Sequence, residues 1–172
     1  MFAMNITHNL DYLYYITGLE VERIYTEYGT LATDVGVEDF ISATLRYTNG
    51  AIGSISAGSA AAGGGANEDR IYGTRGQIVL GDPFMVYVTD AAPVARKADG
   101  IGRGLAANRW NEVELEKMEN KWVEPRRRYF DEFADAVRAG REPPVTAQDG
   151  RRGVALIRAA YRCGETHTAV SL

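Results

Sequence analysis

The chain has 172 residues, with 19 Lys and Arg against 23 Asp and Glu and a formal net charge of −4 at pH 7. That mild acidity speaks against a nucleic-acid binder, which usually carries a clustered basic face, and no stretch reaches the roughly 20 apolar residues of a membrane helix. No signal-peptide pattern is seen, and Cys163, with only His8 and His167 beside it, excludes an internal disulfide framework and a structural zinc site. The expectation is one cytoplasmic domain, long enough to bury a real core.

In chain order, Asn9–Thr17 predicts a short helix with Leu10, Leu13 and Tyr14 on one side. Thr7 is expected to cap its start and Gly18 to end it. Val21–Leu31, rich in Val, Ile, Tyr and Thr, predicts a strand. From Val37 to Tyr47 most aliphatic residues fall at every second position, a strand with one buried face. Asn49-Gly50 then predicts a two-residue type I′ turn, pairing Tyr47 with Ile52 and Leu45 with Ser54. The return strand from Gly53 is built of small residues and runs into the glycine-rich tract Ala60–Ala66, expected as a loop.

Ile71–Leu80 reads as strand, tight turn and strand. Phe84–Thr89 and Trp110–Leu115 are two further strands, and Ala91–Ala107 between them reads as a long loop. Arg126–Ala139 predicts a helix with Tyr129, Phe130, Phe133 and Val137 on one stripe, stopped by Gly140. Thr146 and Asp149 resemble a capping box before a last helix that buries Val154, Ile157, Ala160 and Tyr161. This order gives an α+β fold: an open, mainly antiparallel β-sheet with helices packed on one face. No repeat or domain boundary interrupts residues 1–172.

Among residues that carry chemistry, His8 stands at the start of the first helix with Asp11 three residues later on the same side. A histidine suits the transfer of a hydroxyl proton; equally, a histidine at a helix start can serve only to bond nearby backbone. Tyr12, Tyr14 and Tyr15 combine apolar bulk with a polar tip, which suits either a sugar-sized pocket or a core. Cys163 reads as a small buried residue and His167 as a surface one. Arg126-Arg127-Arg128 suits an anion at a helix N-terminus or a solvated first turn. Gly100, Gly102 and Gly104 miss the dinucleotide fingerprint, because Leu105 stands where its third glycine belongs. No nucleotide cradle is expected in the chain.

Four segments, in this order, resemble the C-terminal domain of the glucose–fructose oxidoreductase/inositol dehydrogenase/rhizopine-catabolism (Gfo/Idh/MocA) family. They are the helix from His8 through Asp11 to Thr17-Gly18, and the turn Gly73-Thr74-Arg75-Gly76. They continue with Phe133–Gly140 and its exit at Pro143-Pro144, and end with Thr146–Gly150, Ala159–Tyr161 and Val170–Leu172. The resemblance implies a dihydrodipicolinate-reductase-like C-terminal domain used for substrate binding and oligomer contacts. It also implies that NAD(P) is bound by an N-terminal Rossmann domain absent from this chain. His8 matches the family's active-site histidine, while Met4 replaces an aspartate that many members carry four residues before it.

The preferred expectation is therefore the C-terminal part of an NAD(P)-dependent oxidoreductase acting on a sugar, polyol or related hydroxy compound. His8 would handle the hydroxyl proton, Asn5, Asp11 and Tyr12 would contact the substrate, and Asp11 would also orient the helix start. A homodimer or tetramer through the sheet face is expected, with no metal, nucleic acid or membrane partner. The alternative is a non-catalytic binding or scaffold module on the same fold.

Overall fold

In the computed structural model, which describes residues 2–60, 68–89, 105–115, 120 and 123–172, a π-helical turn, Phe2–Ile6, runs directly into helix α1, Thr7–Thr17. Thr7 is therefore not a cap. The chain is already helical before it, and its hydroxyl donates to the Ala3 carbonyl at 2.7 Å. Gly18 does end α1: at φ +65° its N–H reaches the Tyr14 carbonyl at 2.7 Å. The glycine-rich tract 61–66 and the stretch 91–104 of the second expected loop lie outside the described residues.

Strands β1 (Val21–Gly29), β2 (Phe40–Tyr47), β3 (Ile52–Gly58) and β8 (Val170–Ser171) form one antiparallel sheet in the order β3-β2-β1-β8. Strands β4 (Asp69–Gly73), β5 (Gly76–Leu80), β6 (Met85–Val88) and β7 (Arg109–Glu112) form a second, in chain order. The α+β class and the antiparallel strands are as expected; the described strands divide between two four-stranded sheets. The chain separates into two compact units, Met1–Gly64 with Arg127–Leu172, and Gly65–Arg126.

Two local expectations are corrected. β2 begins at Phe40 rather than Val37, because Asp39 leaves the strand pattern. Its buried carboxylate accepts the N–H groups of Leu31, Ala32 and Thr33 at 2.7–2.8 Å. The β2–β3 pairing is also one residue from the expected register, with Arg46 opposite Ile52 and Leu45 opposite Gly53. Gly50 alone takes a positive φ, +87°, and Asn49 uses its side chain to accept the Ala51 N–H at 3.0 Å. The turn is thus a longer one closed by an αL glycine, and the extra residue shifts the register.

The first sheet packs on helix α3, Ala147–Thr166. Ile24, Ile41, Ala43 and Leu45 from the strands meet Leu156, Ile157, Ala159 and Ala160, and Ile6 and Leu10 complete this core. Val154, expected inside, is exposed: a period of about 3.6 residues puts it on the far side of α3 from Ala160 and Cys163. Gly164 is required by close approach, since a Cβ there would lie 2.2 Å from the Tyr28 ring. The capping box of α3 forms as expected, with the Asp149 N–H donating to Thr146 Oγ1 and the Thr146 N–H to Asp149 Oδ2.

Helix α2, Val123–Ala139, starts three residues before Arg126, so the three arginines lie past its first residues rather than at its N-terminus. Its stripe of Tyr129, Phe130, Phe133 and Val137 is exposed, and only Ala136 is buried.

Candidate functional site

With about 3.6 residues per turn, α1 divides into two faces. Leu10 is buried and Leu13 and Tyr14 are half-buried, while His8, Asp11, Tyr12 and Tyr15 share the opposite, exposed side. Asn5, on the π-helical turn just before, is exposed as well. The four residues singled out from the sequence, Asn5, His8, Asp11 and Tyr12, thus come from consecutive turns. The face offers one imidazole, one carboxylate, one amide and two phenols, a mixture suited to hydroxyl groups rather than to an apolar partner.

Beneath this face lies a charged anchor. The Arg152 guanidinium sits 3.7 Å from the centre of the Tyr14 ring, donates to Asp149 Oδ1 at 2.8 Å and approaches Glu20 Oε1 at 3.5 Å. It fastens α1 to the start of α3 by a cation–π contact and ion pairs. Asp149 is held down at about 2 by the Thr146 backbone N–H, the Thr146 hydroxyl and Arg152. Next to the anchor a groove of about 1110 Å³ runs between α1, α3 and β8, with Leu10, Leu13, Leu156 and Val170 inside and Arg152 and Arg162 on its wall. Asp11 lines it; Asn5, His8 and Tyr12 do not.

Two groups escaped the sequence reading. Glu38, just before β2, is only 8% exposed, and its Oε1 accepts the Tyr161 hydroxyl of α3 at 2.8 Å. The same phenol oxygen accepts the Ala3 N–H at 3.4 Å. Burial and the bond to Glu38 raise the Tyr161 phenol above its ordinary range. Asp39 is the second, lowered to about 2 by the N–H groups of Leu31 and Ala32. The available signal was an acidic pair, Glu38-Asp39, inside an otherwise apolar alternation.

Among the described residues no cluster of His, Cys, Asp and Glu could hold a metal ion, and no helix is long and apolar enough to cross a membrane. A dinucleotide needs a glycine-rich turn from a parallel strand into a helix. The described strands pair only antiparallel, and none feeds a helix through such a turn. The described residues therefore do not fit NAD(P).

An open antiparallel sheet carrying a long helix on one face, with polar groups displayed on a second helix beside it, defines an α+β fold. The GFO/IDH/MocA C-terminal domain family matches residues 1–79. Myo-inositol 2-dehydrogenase of Thermotoga maritima is 27% identical over 169 residues, covering 96% of this chain and 47% of that protein. The WlbA dehydrogenase of Bordetella pertussis, solved in complex with NADH and UDP-GlcNAcA, is 25% identical with a TM-score of 0.64 over 99% of this chain and 44% of its own. An oxidoreductase from Agrobacterium radiobacter in complex with NAD+, L-tartaric acid and magnesium shares the fold at 19% identity, with a TM-score of 0.76 over 99% of this chain and 48% of its own. The resemblance read from the sequence is borne out: the chain is similar to the C-terminal domains of GFO/IDH/MocA oxidoreductases. It spans about half the length of the relatives it matches.

Proposed function

We propose that the chain is the substrate-holding domain of an oxidoreductase that acts on a sugar, polyol or related hydroxy compound with NAD(P). The observation that carries this reading is the exposed face of α1, where His8, Asp11 and Tyr12 stand together instead of packing inward. Similarity to a myo-inositol dehydrogenase supports a polyhydroxy substrate. Bound NAD(P) would supply the hydride chemistry, held by residues other than those described. On this chain, the His8 imidazole would accept the proton of the substrate hydroxyl as it becomes a carbonyl. The Asn5 amide and the Tyr12 phenol would hold neighbouring hydroxyls, and Asp11 would orient the helix start.

In this reading residues 1–172 work together in the cytoplasm as a substrate-binding and oligomerisation domain. The outer face of the first sheet supports a homodimer or tetramer. It is exposed, built of short side chains such as Ser42, Thr44, Ser54 and Ser56, and edged by Tyr25, Phe40 and Ile52. The test of the site is His8→Ala in an enzyme that carries a dinucleotide-binding domain. Because His8 is exposed, stability should change by less than about 0.5 kcal/mol. Polyol oxidation, followed by nicotinamide absorbance, should fall about 10²–10⁴-fold in kcat/KM. Unchanged kcat/KM removes His8 from the reaction.

A further inference from the structure

We infer that Tyr161 is a positioning residue for the face that carries His8: its hydroxyl, oriented by Glu38, tethers the π-helical turn from which α1 starts. The inference rests on the α1 face being the working surface. The first N–H groups of a helix have no partner inside it and must find one elsewhere. Ala3 finds the Tyr161 oxygen at 3.4 Å, and its carbonyl accepts the Thr7 hydroxyl at 2.7 Å. Both polar groups of this one residue are thus engaged, the first by α3 and the second by α1. Asn5 follows two residues later and His8 five.

The tether depends on which way the phenol proton points. A carboxylate accepts and cannot donate, so Glu38 at 2.8 Å draws the Tyr161 proton toward itself. The oxygen lone pairs then face donors, and the Ala3 N–H is one of them. The ring is fixed in turn by its edge contact with Tyr28, centroids 5.5 Å apart at 85°, and Tyr28 occupies the space that Gly164 leaves open. Single π-helical turns are rare and concentrate at functional sites. This one ends two residues before His8, and the Tyr161 hydroxyl joins it to the buried Glu38.

The experiment is amide hydrogen exchange on the 172-residue chain. Tyr161→Phe keeps the ring and its contact with Tyr28 but removes the tether. Exchange of residues 3–10 should rise about three- to tenfold relative to β2, the loss of one net hydrogen bond. Glu38→Gln, whose amide can donate as well as accept, should give a smaller rise in the same residues. Ile157→Val, a core change on α3 one turn earlier, should leave residues 3–10 unchanged relative to β2. In the enzyme assay Tyr161→Phe should lower kcat about three- to tenfold, with Ile157→Val near wild type. Unchanged exchange at residues 3–10 in Tyr161→Phe, or the same local rise in Ile157→Val, overturns the tether. A local rise combined with full activity in His8→Ala keeps the tether and overturns the α1 reading instead.

Discussion

The two sheets have four strands each and are held by different physics. In the sheet of β1, β2, β3 and β8, Ile24, Ile41 and Leu45 are at most 1% exposed beneath α3. In the sheet of β4 to β7 no described apolar side chain is fully buried; Ile71, Ile78, Val79 and Val86 are all half-buried. Its buried residue is polar. Asn111 accepts the Ala106 N–H at 2.8 Å and donates to the carbonyls of Arg109, Ala106 and Val86 at 2.9, 3.0 and 3.3 Å. One sheet rests on hydrophobic burial, the other on its ladder and one fully bonded amide. Equal strand counts conceal unequal burial.

Truncation in each sheet should expose the difference. Leu45→Ala should cost about 2–5 kcal/mol in chemical denaturation, the range for a fully buried leucine. Ile78→Ala, half-buried on β5, should cost about 1–2 kcal/mol. Equal losses would erase the contrast. Asn111→Ala should cost about 1–3 kcal/mol by leaving buried partners unbonded. Its amide-exchange signature should stay within β6, β7 and Ala106, and a rise in the first sheet would contradict the division into two units.

Acid should act mainly on the first unit. Asp39 and Asp149 are lowered from an ordinary value of 3.8 to about 2. A carboxylate lowered by folding contributes stability above its unfolded value and loses it as pH falls through the folded one. The first sheet should therefore weaken between about pH 4 and pH 2, and Asp39→Asn should remove its share of that dependence. Denaturation or exchange showing the second sheet losing more stability than the first over that interval would reverse the order of the two units.

Most of the fold was legible because patterning is local. The alternation of Phe40–Tyr47, the glycine at the end of α1 and the Thr146–Asp149 box each need only a few neighbouring residues. What was missed depends on side chains acting at a distance or on one dihedral. The register of β2 and β3 turned on whether Asn49 would adopt positive φ, and its amide found Ala51 instead. The stripe of α2 is amphipathic in sequence, yet its aromatics are exposed, and periodicity alone says nothing about what a face meets. Of the candidate site, Asn5, His8, Asp11 and Tyr12 were readable from helical spacing and the family resemblance. Tyr161 and Glu38 were not, since they lie 123 residues apart and meet only through the packing of α3 beside β2.

Cys163 gives the first sheet a clock of its own. It is the chain's single thiol, fully buried, with its sulfur accepting the Thr26 N–H across the α3–β1 junction at 3.0 Å. An alkylating reagent cannot reach it until helix and strand separate. The rate of thiol loss therefore reports how often that junction opens, without label or substitution, and it is silent about the other sheet.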